Sequence, residues 1–174
     1  MIFATVGTHE QPFDRLVQAI DELKGRRIIS HEVFIQSGYS KYQPQFCDYA
    51  PFIGFNEMIE RIKAAEIVIT HGGTGSIMLV LYNGKIPVVM PRQKKFNEHI
   101  DDHQVRFCET MESKGKILAI YEVETLSDTI ANYVSLVEKI LKAQGNEIRT
   151  DLKEQTGAFA EKLESLCLRL LERH

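Results

Sequence analysis

Between residues 1 and 143, short runs rich in β-branched and apolar residues alternate with longer amphipathic stretches. That alternation constrains the fold more than any other feature of the chain. Ile2–Val6, His31–Gln36, Ile67–Thr70, Ile86–Met90 and Ile117–Ile120 read as strands. Continuous apolar runs of this length suit strands covered on both faces, as in a parallel sheet. Between them, Phe13, Leu16, Val17 and Ile20 fall on one helical stripe, as do Met58, Ile59 and Ile62, and Ile77–Tyr82 reads as a further helix. Asn56 is a candidate cap for the helix that reaches about Ala64. Asn83-Gly84 supplies a stop for the one after it. Pro87 falls near the first position of its strand, where a missing amide is tolerated. More helix is expected from about Asp101 to Ser113 and from Leu126 to Leu141, whereas Tyr39–Phe52, with Pro44 and Pro51, is expected to be mostly loop. The pattern predicts an α/β fold, a Rossmann-like parallel sheet flanked by helices and joined by right-handed crossovers.

At 174 residues the chain can build one such domain with a substantial core, but not two. We expect an α/β domain over 1–143 and a helical extension over 144–174, with the break at Gly145-Asn146. In the extension Phe159, Leu163, Leu166 and Leu170 follow helical spacing. That stripe suits packing on its own domain or docking on a partner, and sequence does not choose between them. A net charge of -3, from 21 basic and 24 acidic side chains without a long block of either sign, argues against nucleic-acid binding. Cys47, Cys108 and Cys167 form no Cys-x-x-Cys pair, which fits a reducing compartment and disfavours a structural zinc site. Met1–Val6 lacks the basic start of a secretion signal, and no apolar stretch is long enough to cross a bilayer. The expectation is a cytoplasmic protein whose membrane contact comes through a partner.

The most informative segment is Ile67-Val68-Ile69-Thr70-His71-Gly72-Gly73-Thr74-Gly75-Ser76, a strand running through three glycines into a helix. A helix start offers unpaired amides and a dipole that favours anions. Glycine lets backbone approach phosphate oxygens where a Cβ would intervene, and Thr74 and Ser76 can add hydroxyl donors. A tight structural turn without ligand is the competing reading. The segment is not a P-loop, since Ile77 stands where a lysine would complete one. Nor has it the G-x-G-x-x-G spacing of a dinucleotide fingerprint. Two further polar clusters should reach the same sheet edge, where open α/β sheets bind ligands. They are Gly7-Thr8-His9 and the stretch from Arg92 to Gln104. Arg92 can meet a phosphate charge there, and His103 and Gln104 can bond sugar hydroxyls, although a lone Arg92 or His99 can equally be a surface group. No His-Glu-x-x-His motif is present and no resident metal is expected. Without a G-x-S-x-G elbow a serine hydrolase is also disfavoured.

Thr70–Ser76, Gly84-Lys85-Ile86-Pro87-Val88-Val89-Met90-Pro91-Arg92 and Asp102-His103-Gln104 together resemble the C-terminal domain of family 28 glycosyltransferases. The opening Thr5-Val6-Gly7-Thr8 and the length resemble its stand-alone versions. These are the soluble donor-binding subunits of two-part transferases, for dolichol-linked N-acetylglucosamine transfer and for bacterial capsule and exopolysaccharide synthesis. The resemblance implies the C-terminal half of a GT-B enzyme and an inverting reaction. It implies a UDP-sugar as donor substrate, with no permanently bound cofactor, and a lipid-linked glycan as acceptor. Gly73, Thr74, Gly75 and Ser76, with His71 and Gly72 leading in, would hold the diphosphate. Phe55 and Met58 would lie on the uracil side, or else be core contacts at a helix start. His103 and Gln104 would read the donor sugar, and Gly7 and Thr8 would line the cleft facing the acceptor half. One position departs: Leu79 stands where the family commonly carries a ribose-binding Glu. The general base would lie on a membrane-anchored partner subunit, so no catalytic residue is assigned in this chain. The alternative is a non-catalytic binding or scaffold protein that keeps the fold.

Overall fold

The computed structural model describes residues 1–143. Its sheet has six parallel strands: β1 (Ile2–Thr5), β2 (Val33–Gln36), β3 (Asp48–Ala50), β4 (Ile67–His71), β5 (Val88–Met90) and β6 (Leu118–Ala119), in the order β3-β2-β1-β4-β5-β6. The chain winds outward from β1 to β3, then returns to place β4 on the other side of β1 and winds outward again. The strand order therefore reverses between β1 and β4, which opens a crevice beyond their carboxyl ends. Register sets three loops side by side there, because Thr5 is level with Gln36 on one flank and with Thr70 on the other.

The helices are α1 (Asp14–Gly25), α2 (Phe55–Ala64), α3 (Thr74–Tyr82), α4 (His103–Ser113), α5 (Leu126–Ala131) and α6 (Tyr133–Ala143). Side chains alternate along a strand, so β1 sends Ile2 and Ala4 to one face and Phe3 to the other. The first face packs against Leu16, Val17 and Ile20 of α1 and Leu126 and Ile130 of α5. On the second, Phe3 and Val68 meet Ile62 of α2 and Val80 of α3, while Val89 meets Ile77 and Leu81 of α3 and Cys108 of α4. Both faces are covered, as the apolar runs require. Cys47 and Cys108 are free and buried, and burial pushes each thiol up to about 12.

Four local expectations change. Tyr39–Phe52 contains edge strand β3, whose Asp48 and Tyr49 are exposed and so carry no apolar signature. The loop before it is held by buried Asp21, whose carboxylate accepts from Tyr42 Oη at 2.9 Å and from the amides of Gln45 (2.8 Å), Phe46 (2.8 Å) and Cys47 (2.9 Å). Burial opposes the charge, but these hydrogen bonds outweigh it and hold the carboxyl below its ordinary value. Asn56 is not a cap, since α2 begins at Phe55 with Gly54 before it and no side-chain cap. Helix α3 begins at Thr74, ahead of Ile77, so Gly75 and Ser76 lie in its first turn. The expected helix from Leu126 to Leu141 breaks at Asn132, whose Nδ2 donates to Asp128 O at 2.9 Å and competes with the backbone ladder. The expected helix from about Asp151 to Leu171, and its docking role, lie outside the described residues. Among those described, no helix is long and apolar enough to cross a membrane.

Candidate functional site

Beyond the carboxyl ends of β1, β2 and β4 lies a cleft of about 280 Å³ lined by Thr5, Gly7, Thr8, Gln36, Phe52, Ile53, Met58, His71, Gly73, Gly75 and Ser76. It adjoins a more apolar hollow of about 360 Å³ in which Phe55, Ile62 and Leu79 join the shared Thr5, Ile53, Met58, Gly75 and Ser76. The first turn of α3 opens onto this space. Gly73 has no side chain to cap it, and no hydrogen bond within the described residues takes up the amides of Thr74, Gly75 and Ser76. Their N–H groups and the helix dipole are available to an anion. A Cβ built on Gly75 meets nothing within 4 Å, so the approach to these amides is open.

Gly7 and Gly73 do something different. A Cβ on Gly7 would sit 2.4 Å from His71 Cε1, and one on Gly73 would sit 2.2 Å from His71 Nε2. The two glycines make room for the His71 ring between the loops after β1 and β4, and Gly7 also adopts φ +74°. Burial, with the nearby Arg92 charge second, drives the His71 pKa down to about 4, so the ring is neutral at pH 7. Gly72 faces away from the cleft. Its missing Cβ would meet Gln104 Cβ at 2.9 Å and Cys108 Sγ at 3.1 Å, so this glycine lets α4 approach the turn.

Sequence reading missed Thr5, Gln36, Phe52 and Ile53 at this cleft. Thr5 Oγ1 donates to Gln36 Oε1 at 2.6 Å, and Gln36 Nε2 donates to Gly7 O (3.1 Å) and Pro51 O (2.7 Å). Gln36 thereby ties the loops after β1, β2 and β3 into one wall. The available signal was a polar residue closing a strand next to β1, with Gly38 just beyond. Phe52 is half exposed and meets Tyr39 edge-on at 5.2 Å, and Phe55 is 60% exposed, so aromatic rings stand at the rim.

The loop after β5 corrects the Arg92 expectation. The side chain is fully buried, and its Nη1 donates to Gln11 O (2.7 Å), Pro12 O (3.3 Å) and Glu98 O (3.2 Å), while Nη2 donates to Val6 O (3.0 Å). The Phe13 ring lies 4.8 Å beneath it. Burial lowers its pKa to about 10, against the pull of Glu98, and the guanidinium stays charged. Both terminal nitrogens serve backbone carbonyls, so Arg92 is an internal strut and does not line the cleft. His99 is also buried and not a surface group. Gln104 is buried too, its Oε1 accepting from the Arg92 amide at 3.1 Å. His103 is half exposed at the start of α4, with Nδ1 2.5 Å from Asp101 Oδ1. Thr74, Gly72, His103 and Gln104 are absent from both hollows. Among the described residues the cleft lining carries no charged group, so its polarity comes from amides, hydroxyls, the Gln36 side chain and the neutral His71 ring.

Residues 1–164 match the model of the glycosyltransferase family 28 C-terminal domain. The chain belongs to this family. The match extends past residue 143 into the segment outside the described residues. A curated family relative is the UDP-N-acetylglucosamine transferase subunit ALG13 of Yarrowia lipolytica (strain CLIB 122 / E 150), 25% identical over 134 residues, 66% of this chain and 62% of that protein. The chain thus spans under two thirds of that relative's length. Two solved glycosyltransferases share the fold at 18% identity. They are SnogD from Streptomyces nogalater (TM-score 0.61, 95% of this chain and 43% of that one) and the glycotransferase of kitacinnamycin (TM-score 0.57, 92% and 42%). In each, a parallel α/β sheet flanked by helices like this one makes up under half of the solved chain, as in the C-terminal half of a GT-B enzyme.

Proposed function

We propose that this family 28 domain is the donor-binding, catalytic subunit of an inverting UDP-sugar hexosyltransferase acting on a lipid-linked acceptor in capsule, exopolysaccharide or related glycan synthesis. One observation carries the reading: an uncapped helix start with three unpaired amides faces an uncharged cleft at the point where the strand order reverses. A diphosphate suits that place, with its oxygens on the amides of Thr74, Gly75 and Ser76. The adjoining apolar hollow, rimmed by Phe55 and Met58, has the character of a base site. The related ALG13 protein is named a UDP-N-acetylglucosamine transferase subunit, which supports both a UDP-sugar donor and a second subunit here.

Transfer with inversion needs a base on the acceptor hydroxyl and stabilisation of departing UDP. The α3 amides supply part of the second. Among the described residues the cleft offers no cation, because Arg92 is committed to carbonyls and His71 is neutral. In our reading the missing base and positive charge both come from a membrane-anchored partner, which holds the complex at the cytosolic membrane face. His103 and Gln104 would reach the donor sugar only from the α4 side of the cleft. Isothermal titration with UDP, CDP, GDP and ADP tests the site, with UDP expected to bind at least tenfold tighter than the others. Equal affinities, or none, refute it. Co-expression with the candidate membrane subunit should turn an inactive chain into an active transferase. A pair that binds UDP yet transfers nothing from any UDP-sugar would favour the scaffold reading, to which Leu79 lends support.

A further inference from the structure

Three imidazoles meet where the loop after β5 enters α4. The His99 ring centroid lies 4.6 Å from that of His9 and 4.5 Å from that of His103. Asp101 stands at their edge, its Oδ1 2.5 Å from His103 Nδ1 and 3.5 Å from His99 Nδ1. We propose that His99, Asp101 and His103 form a binding site for a divalent transition-metal ion of the zinc or cobalt class. Ligand atoms from these three residues all lie within 4.8 Å of one another. An ion bound at about 2.0–2.2 Å from each would replace the Asp101–His103 hydrogen bond and draw the three ligand atoms around itself. Two imidazole nitrogens and one carboxylate oxygen are a donor set that zinc and its neighbours accept, and one that calcium or magnesium would not select.

The arrangement is held before any ion arrives. His99 is 8% exposed, and the loop around it is pinned at both ends. Arg92 holds Glu98 O, and Asp102 Oδ1 accepts from the Lys94 amide at 2.8 Å. Glu98 itself is fixed by Arg15 at 2.8 and 2.9 Å. Such support is what keeps ligands in place at a metal centre. His9 Nδ1 accepts from the Gln11 amide at 3.1 Å, which leaves its other nitrogen as a candidate fourth ligand. An ion here would staple the Arg92–Asp102 loop to the start of α4 and, through His9, to the loop after β1. His103 would ligate through Nδ1 and keep Nε2–H for another partner. None of these residues lines the proposed donor cleft; His103 alone is shared with the proposed donor-sugar contacts, so the Asp101 arm of the test separates the two readings.

Tag-free full-length protein, stripped with a chelator and returned to buffer, is titrated with Zn²⁺ by calorimetry and with Co²⁺ by visible absorption. The expected result is one ion per chain, with a Tm rise of at least about 3 °C at a hundredfold excess over Kd. Asp101→Asn and His103→Gln, both at half-exposed positions, should each weaken the ion at least tenfold, with the ion's Tm rise read against each variant's own metal-free unfolding curve. An Asp101→Asn/His103→Gln double variant should lose the Co²⁺ spectrum. Absence of binding by the unmodified chain, or unchanged affinity and stoichiometry in the double variant, overturns the site.

Discussion

The loops after β4 and β5 begin on neighbouring strands and at the same sheet edge, yet they treat their polar groups in opposite ways. After β4, three amides at the start of α3 have no partner among the described residues, and Gly75 faces open space there. After β5, the charged side chain with most to offer an anion is turned inward, and four carbonyls consume it. A polar residue near a ligand edge is therefore no evidence of a ligand contact until its partners are known. The first loop keeps its donors open, and the second spends its charge on the loop after β1 and on its own backbone.

The largest effect should come from testing that second role. Arg92→Met removes four charge-assisted hydrogen bonds, two of them fully buried, and strands their acceptors, and unfolding in urea should show a loss of about 3–5 kcal/mol. UDP affinity measured on the folded fraction should stay within about twofold. A variant that folded normally but lost UDP would reverse the comparison and restore Arg92 as a phosphate ligand.

His71 gives the next effect. Its folded pKa of about 4 lies below the ordinary histidine value of 6.5, so between these values the unfolded chain binds the extra proton. Its contribution to stability is then complete above about pH 6.5 and is lost as the pH falls toward 4. It amounts to roughly 3 kcal/mol over that window. Urea unfolding at pH 7, 6 and 5 should show the decline, and His71→Gln should flatten it. Equal slopes in the two proteins would mean that other groups carry the pH dependence.

How much of this was legible in the sequence follows from how locally each feature is encoded. The strands β1, β2, β4 and β5 announce themselves because residues buried on both faces must be apolar, one after another, and β6 does so through buried Ile117 and Ile120 at its ends. Edge strand β3 does not, since Asp48 and Tyr49 are exposed and its order comes from Asp21, well over twenty residues earlier. At the cleft, Gly73, Gly75 and Ser76 could be placed because a strand, a turn and a helix start are contiguous. Gln36 and Ile53 line the same cleft through register between β1 and its neighbours, which no local pattern records. Arg92 was misread for a related reason. Its partners Val6, Gln11 and Pro12 are more than 75 positions away by number alone, and nothing near Arg92 points to them.

A sharper cut divides the glycines of the β4 turn. Gly73→Ala forces a Cβ into the His71 ring and should cost about 1–3 kcal/mol, with UDP binding affected only through the displaced imidazole. A Cβ at Gly75 meets nothing within 4 Å among the described residues, and leucine is the better helix former, so Gly75→Leu should change stability by less than about 1 kcal/mol. Its side chain would stand over the amides, however, and UDP affinity should fall at least tenfold, or about 1.4 kcal/mol. If both variants bind UDP normally, the open loop is an ordinary helix start.

The smallest effect concerns Leu79, which lines the apolar hollow one turn beyond Ser76 and packs against the cluster around Phe3, Ile62 and Val68. If the hollow seats a nucleoside, a carboxylate at this position can reach its ribose hydroxyls, and a hydrogen bond to a charged group outweighs the leucine contact it replaces only when the sugar is present. Leu79→Glu should therefore lower stability by about 1 kcal/mol or less, because the leucine is only partly buried, and tighten UDP binding by about three- to tenfold. The gain must vanish with 2′,3′-dideoxy-UDP, which keeps the base and the diphosphate but offers the carboxylate nothing to hold. A gain that survived the loss of both hydroxyls would come from somewhere other than the ribose. No gain at all would mean that the nucleoside does not lie in this hollow, wherever its phosphates bind.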